Sequence, residues 1–197
     1  MTATLLSAAG AFRAQSCTEL EKGRNDERTL VAFLNQEGNG GQSADCVTYA
    51  LRRLGDLNYD GKSITGGIGA PAVVDVLVKY LDYKRPEPGF GTLGVGGNNE
   101  LYPAVSALVS IGKAANPALL KVIKNGSSTD TARANAFDAF IFIHRGNEKT
   151  AVRALKMAAK SEKDTSAAER LQKAAKDAAM RCLEKLQPAC QKLSEED

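Results

Sequence analysis

Three oxygen-bearing side chains, Asp56, Asn58 and Asp60, alternate along the stretch Gly55-Asp-Leu-Asn-Tyr-Asp-Gly-Lys-Ser-Ile-Thr65 and are followed by Gly61. That D-x-N-x-D-G order is how a calcium-binding loop begins: hard oxygens at every second residue, then a glycine where the chain must turn sharply. Position twelve, where such a loop carries a bidentate carboxylate, is Gly67 here, so an ion would need a further oxygen, with Thr65 and Asp75 the nearest candidates. Asp, Asn and Gly are also the ordinary residues of a tight turn, and a plain Asx-rich turn explains the same letters.

Other catalytic patterns fail on context. Gly55 to Ser63 reads G-x5-G-K-S, one residue too long for a phosphate loop, and it follows a helical pattern where that motif needs a strand. Gly89-Phe-Gly91-Thr-Leu-Gly94 is formally G-x-G-x-x-G, but Pro86 and Pro88 precede it, with no βαβ unit around it. Residues 86–99 therefore read as a mobile or partner-contacting loop, with Phe90 and Leu93 as exposed apolar groups. The single histidine, His144, ends an apolar helix beside Arg145, where a cation would favour the terminal carbonyls; this suits capping better than catalysis. Asp130 and Asp138 lie eight residues apart on one helix face, and no base or nucleophile accompanies them in the pattern. The expectation is a chain that is not an enzyme. Asn125-Gly-Ser127 is a formal glycosylation sequon.

The four cysteines, at 17, 46, 182 and 190, have no C-x-x-C spacing, and one histidine cannot complete a usual zinc set. Three connectivities are open, beside four free thiols packed as small hydrophobes; the local pairing Cys17–Cys46 and Cys182–Cys190 would tie down the two ends and favours an extracytoplasmic, secreted or periplasmic location. Residues 1–16 lack a basic start, and Arg13 interrupts their apolar run, so they read as a helix or as the stump left by removal of a signal peptide.

Of the 197 residues, 43% are apolar and 25% charged, a balance that supports a folded core and excludes a disordered chain. With only 6% aromatic residues and no Trp, that core must be built from aliphatic and small side chains, which suits close helix packing. No window reaches the roughly 20 apolar residues of a membrane span, so no membrane insertion is expected. The net charge of +3 is too small to demand nucleic acid, although residues 149–185 gather Arg153, Lys156, Lys160, Arg170, Lys173 and Arg181. That face lacks aromatics for stacking bases and interleaves acids, as in the i,i+4 pair Lys173 and Asp177, so it reads first as solvated and second as a surface for an anionic polymer.

Helical periodicity runs almost throughout. Helices are expected at about 5–21, 26–36, 43–54, 71–81, 101–111, 117–124, 130–144, 147–157 and 164–187. Ser43, Asn147 and the pair Asn116-Pro117 serve as starts, Gly55 and Gly112 as stops, and Pro188 as the final break. About nine helices with short connections make an all-α chain. Within it, Tyr49-Ala-Leu-Arg-Arg-Leu-Gly55 matches Ser106-Ala-Leu-Val-Ser-Ile-Gly112, and each is followed by a Pro-Ala start, at Pro71 and Pro117, leading into an aliphatic helix; Phe140 to Gly146 is a weaker third copy.

This pattern, A-L-x-x-[LI]-G, a turn, then P-A-[VL]-x-x-L-[VI], resembles the HEAT repeat, including its bacterial short-repeat forms. Two clear copies, Cys46 to Leu81 and Leu101 to Lys124, and a degraded one, Ala132 to Lys160, cover about half the chain; insertions at 56–69 and 84–99 depart from the pattern. The resemblance implies antiparallel helix pairs stacked as a short right-handed α-solenoid. Residues 1–42 would form an N-terminal cap, 43–160 the repeats, and 161–197 a C-terminal cap and tail, in one domain. It implies a non-catalytic scaffold whose groove takes a protein or peptide partner. The 56–65 segment separately resembles the opening of a dockerin or EF-hand loop, which implies calcium as the alternative ligand.

Overall fold

A computed structural model describes residues 20, 26–36, 44–61, 70–86 and 101–184. Among these residues the structure is all-helical, with no strand. The helices are α1 (Glu27–Gln36), α2 (Ala44–Leu57), α3 (Ala70–Leu77), α4 (Pro103–Ile111), α5 (Asn116–Lys124), α6 (Asp130–Ile143), α7 (Glu148–Ser161) and α8 (Thr165–Glu184). Short 3-10 turns follow α2 at Tyr59–Gly61, extend α3 over Val78–Tyr80, and join α4 to α5 over Gly112–Ala115. The expected helix at 5–21, the Ser43 start, the 86–99 loop beyond Pro86 and the Pro188 break lie outside the described residues.

Helix starts follow ordinary capping chemistry. The Asp26 carboxylate accepts from the Arg28 amide at 3.0 Å and from the Thr29 hydroxyl, and the hydroxyl holds the Asp26 carboxyl below the usual carboxylate range. The Thr129 hydroxyl accepts from the Ala132 amide at 3.0 Å, and Asp164 from the Ala167 amide at 2.7 Å. Asn147 stands at the N-cap of α7, but its side-chain oxygen accepts from the Thr150 hydroxyl at 2.7 Å and from no backbone amide.

Two of the expected breaks turn out differently. Gly55 does not stop α2: it is buried inside the helix, which runs on to Leu57. A Cβ built on Gly55 would lie 2.6 Å from the Ala107 Cα and 2.8 Å from its Cβ, so glycine stands there because the α2 backbone meets the backbone and Cβ of Ala107 on α4. The reversal comes later, where Asp60 (φ 53°) and Gly61 (φ 71°) are both left-handed. Gly112, in contrast, is a true stop with φ 73°, its amide donating back to the Leu108 and Val109 carbonyls. The two glycines that align in the sequence pattern therefore have different jobs. Asn116 likewise does not cap from outside; it lies within α5, entered from the 3-10 turn, and its side chain faces another helix.

The core is aliphatic and small, as the composition requires: Leu30, Leu51, Leu54, Leu77, Leu108 and Ile111 are fully buried, joined by Phe33, Phe140 and alanines such as Ala104 and Ala136. Packing follows two lines. One runs α2, α4, α6; the other runs α1, α3, α5, α8, with the 3-10 extension of α3 making the contact to α5. Between the lines, α1 packs on α2, α3 on α4, α5 on α6, and α7 most extensively on α8. The frame read from the sequence instead joins α2 to α3 and α4 to α5, pairs that share little direct contact. The A-L-x-x-[LI]-G and Pro-Ala motifs thus flank corners between packed pairs, not the turn within a pair.

Side chains lock these pairs together. The Tyr80 hydroxyl donates to the Leu34 carbonyl at the end of α1, the Tyr83 hydroxyl to the Ala44 carbonyl at 2.9 Å, and the buried Asn135 amide to the Leu81 carbonyl at 2.6 Å. Cys46 and Cys182 are buried, and neither carries a free thiol. No described helix is long and apolar enough to cross a membrane.

The α2–α4 contact makes a sharp prediction. Gly55→Ala forces a methyl group against Ala107 backbone, an overpacking cost of about 1 to 3 kcal/mol, whereas Gly112→Ala strains only the backbone at φ 73° and ψ −143°, at about 1 to 3 kcal/mol. Urea unfolding of both variants should show lowered midpoints; a Gly55→Ala midpoint equal to the parent's would refute the close approach.

Candidate functional site

A groove of about 830 Å³ runs between α6 and α8, with the buried Ile123 of α5 in its lining. Helix α6 contributes Asp130, Arg133, Ala134, Phe137 and Asp138, at successive 3- and 4-residue steps that place them on one face. Helix α8 contributes a matching stripe, Arg170, Lys173, Ala174, Asp177, Met180 and Arg181. The basic C-terminal face and the Asp130/Asp138 pair, separate features in the sequence, are therefore two walls of one groove.

Its electrostatics are mixed. Asp138 accepts from Arg181 at 2.7 Å across the groove, and the Arg181 guanidinium lies 4.8 Å from the centre of the Phe137 ring. Arg133 pairs with Asp130 and turns its Nη1 onto the Ser128 carbonyl. Arg170 Nε donates to the Lys124 carbonyl at 2.6 Å, and Lys124 Nζ meets Glu162 at 2.5 Å, holding that carboxyl below its ordinary range. Both aspartates are thus engaged by arginines instead of standing as an acid and base pair. The expected i,i+4 ion pair of Lys173 with Asp177 is not formed; both side chains are exposed, next to Met180 at 60% exposure. These three are the uncommitted groups of the groove: one cation, one anion and one flexible apolar side chain.

The calcium-type residues occupy different settings. Asp56 is exposed on the last turn of α2. Asn58 is fully buried, its amide donating to the Leu54 carbonyl at 3.1 Å, while its Oδ1 is buried without a hydrogen-bond partner. Asp60 is exposed in the left-handed turn, its Oδ1 near Gly112. The structure buries Asn58 and leaves Asp56 and Asp60 exposed. Thr65 lies outside the described residues, and Asp75 is exposed on α3. Among the described residues no group of three or more His, Cys, Asp or Glu side chains could hold a metal ion.

His144 stands at the C-cap of α6, as expected, but the cap is made by its backbone amide, which donates to the Ile141 and Phe142 carbonyls. The ring is buried against Phe140, centroids 4.8 Å apart, and Nε2 lies 3.1 Å from the Asn116 amide nitrogen. Burial, reinforced by the charge of Lys113, lowers its pKa below the ordinary 6.5. The ring is therefore neutral near pH 7, accepting from Asn116 at Nε2; the cationic cap expected from the sequence is corrected by desolvation. The groove's signal was visible in the sequence as two charged stripes, but their juxtaposition was not.

No protein-family model matches the chain, and no curated protein or solved structure matches it either.

The His144 environment has a pH signature. Because its folded pKa lies below the unfolded value, the neutral ring's contribution is complete above about pH 6.5 and is lost as pH falls from there towards the depressed value, where the dependence levels off. Urea unfolding across roughly pH 5 to 8 should show this slope in the parent and a flatter one in His144→Gln. Equal slopes would contradict a buried neutral ring.

Proposed function

We propose that this chain is a non-catalytic interaction module, a short right-handed HEAT-like solenoid whose α6–α8 groove seats a protein or peptide segment of mixed charge. The packing of α2, α4, α6 in one line and α1, α3, α5, α8 in the other supports stacking of layers. The observation that carries the binding role is the groove itself: two helix faces with paired ions on the walls, the Phe137–Arg181 contact, and Lys173, Asp177 and Met180 left uncommitted. Aromatic and Arg anchors beside flexible Met are what peptide-binding surfaces use. The near balance of arginine, lysine and aspartate in the groove favours a zwitterionic peptide over a polyanion.

Display of a random peptide library against the folded protein should enrich ligands whose affinity falls about tenfold or more, the loss of a central anchor, in Phe137→Ala and Arg181→Glu, and stays unchanged in Lys121→Glu, which lies outside the groove. Enrichment indifferent to both groove variants would sink the assignment, and retention on heparin that collapses with salt would transfer it to anionic polymer.

The cysteines support an extracytoplasmic setting with local pairing of Cys17 with Cys46 and Cys182 with Cys190. Peptide mapping of the oxidised, non-reduced protein should yield those two cross-linked pairs; a pairing of Cys46 with Cys190 would defeat it. A calcium reading of the 56–65 loop has one observation in its favour, the buried unpartnered Oδ1 of Asn58. It requires that millimolar calcium raise the melting temperature of the parent but not of Asp60→Ala, and absence of any shift removes it.

A further inference from the structure

The turn between α5 and α6 places Asn125 directly before Gly126 on the exposed surface, beside the groove arginines Arg133 and Arg170. A glycine after asparagine leaves the next backbone nitrogen unshielded, and that nitrogen can attack the side-chain amide. Three features of this turn bear on that reaction. The Asn125 Oδ1 accepts from the Ser127 amide at 3.1 Å and from the Ser127 hydroxyl at 2.9 Å, two donors placed where negative charge develops when Cγ is attacked. The Arg170 guanidinium packs against Gly126, its Nη2 3.3 Å from where a Cβ would sit, so a cation lies beside the residue whose nitrogen must lose its proton. Arg133 Nη1 holds the Asn125 carbonyl at 3.3 Å and the Gly126 carbonyl at 3.5 Å, and the Ser128 amide also donates to the Asn125 carbonyl at 3.3 Å.

The last feature opposes the first two. Asn125 has ψ 116°, whereas ring closure requires the Gly126 nitrogen to swing over the Asn125 Cβ, at a ψ of roughly −120° from tetrahedral geometry. That rotation carries the Asn125 carbonyl away from Arg133 and Ser128.

We propose that Asn125 is a self-modification site, activated by Ser127 and Arg170 and restrained by Arg133, at which spontaneous deamidation changes the charge of the groove's edge. The Gly126 nitrogen, deprotonated by solvent base, forms a bond to Asn125 Cγ; the Cγ–Nδ2 bond breaks, and Nδ2 takes up a proton and leaves as ammonia. Water then opens the five-membered imide at either carbonyl, giving aspartate or the β-linked isoaspartate. No oxidant or reductant is involved. Either product sets a new carboxylate between Arg133 and Arg170, and the β-linked one also lengthens the main chain by one carbon.

The test is peptide mapping of purified, unglycosylated protein held at mildly alkaline pH, native or in urea, with Asn39–Gly40 as a second Asn-Gly pair on the same chain. Native Arg133→Lys should lose the Asn125 amide several-fold faster than the parent and native Ser127→Ala several-fold slower, with both differences vanishing in urea and Asn39 unaffected. Thermal melts establish that each variant is folded under the incubation conditions. A native parent that keeps Asn125 intact while the urea-unfolded chain loses it would overturn the proposal, because the fold would then only shield the site. Equal rates in parent and Arg133→Lys would overturn the restraint.

Discussion

Short helices have many ends, and every end that packing draws inward brings backbone carbonyls with no partner inside the helix. This constraint organises the molecule. The last carbonyls of α1 take the Tyr80 hydroxyl, those of α2 the Asn58 amide, that of Lys124 in α5 the Arg170 guanidinium, and the Leu81 carbonyl the Asn135 amide. Where no side chain arrives, the backbone closes the end itself, at Gly112 and at His144. Because each donor except Asn58 comes from a different element, satisfying a helix end also fixes which helix lies next to it. An unmet buried carbonyl costs about 1 to 3 kcal/mol, comparable to overpacking a core position, so these bonds select among packings that the apolar core alone would tolerate.

The groove is a by-product of the same rule. Arg170 is drawn to the end of α5 by the Lys124 carbonyl, and Arg133 to the turn carbonyls after it, and these two contacts anchor α8 and α6 to one corner. From that corner the two helices carry their polar stripes along a shared cleft that ends at the Asp138–Arg181 pair. The arginines that cap the corner also reach Asn125–Gly126, so the groove wall, the helix cap and the turn meet in a few residues.

Comparison of Gly55 and Gly112, which align in the sequence pattern, shows how far local pattern reaches. Gly55 and Gly112 occupy equivalent letters, yet one is a contact point with Ala107 and the other a left-handed stop. A glycine's letter allows both uses, and only the neighbour that approaches it decides between them. His144 teaches the same lesson in electrostatics: its position at a helix end was legible, but its charge state depends on Phe140, Asn116 and Lys113, which reach it from its own helix, from α5 and from the turn before α5. Asn58 was legible as an oxygen in a promising spacing, whereas its burial followed from α2 continuing past Gly55.

The amino-acid order by itself determined the helical character of the described chain, the approximate extents of α1 to α8, and a core of leucine, valine and alanine. These come from periodicity, capping residues and composition, which are local quantities. Tertiary structure alone decided which helices pair, that the Asp130 and Lys173 stripes share a groove, and that Gly55 is a contact and not a stop. Those outcomes depend on distances between segments far apart in the chain, and they are settled by the joint demands of buried area and buried carbonyls, which no single stretch of sequence contains.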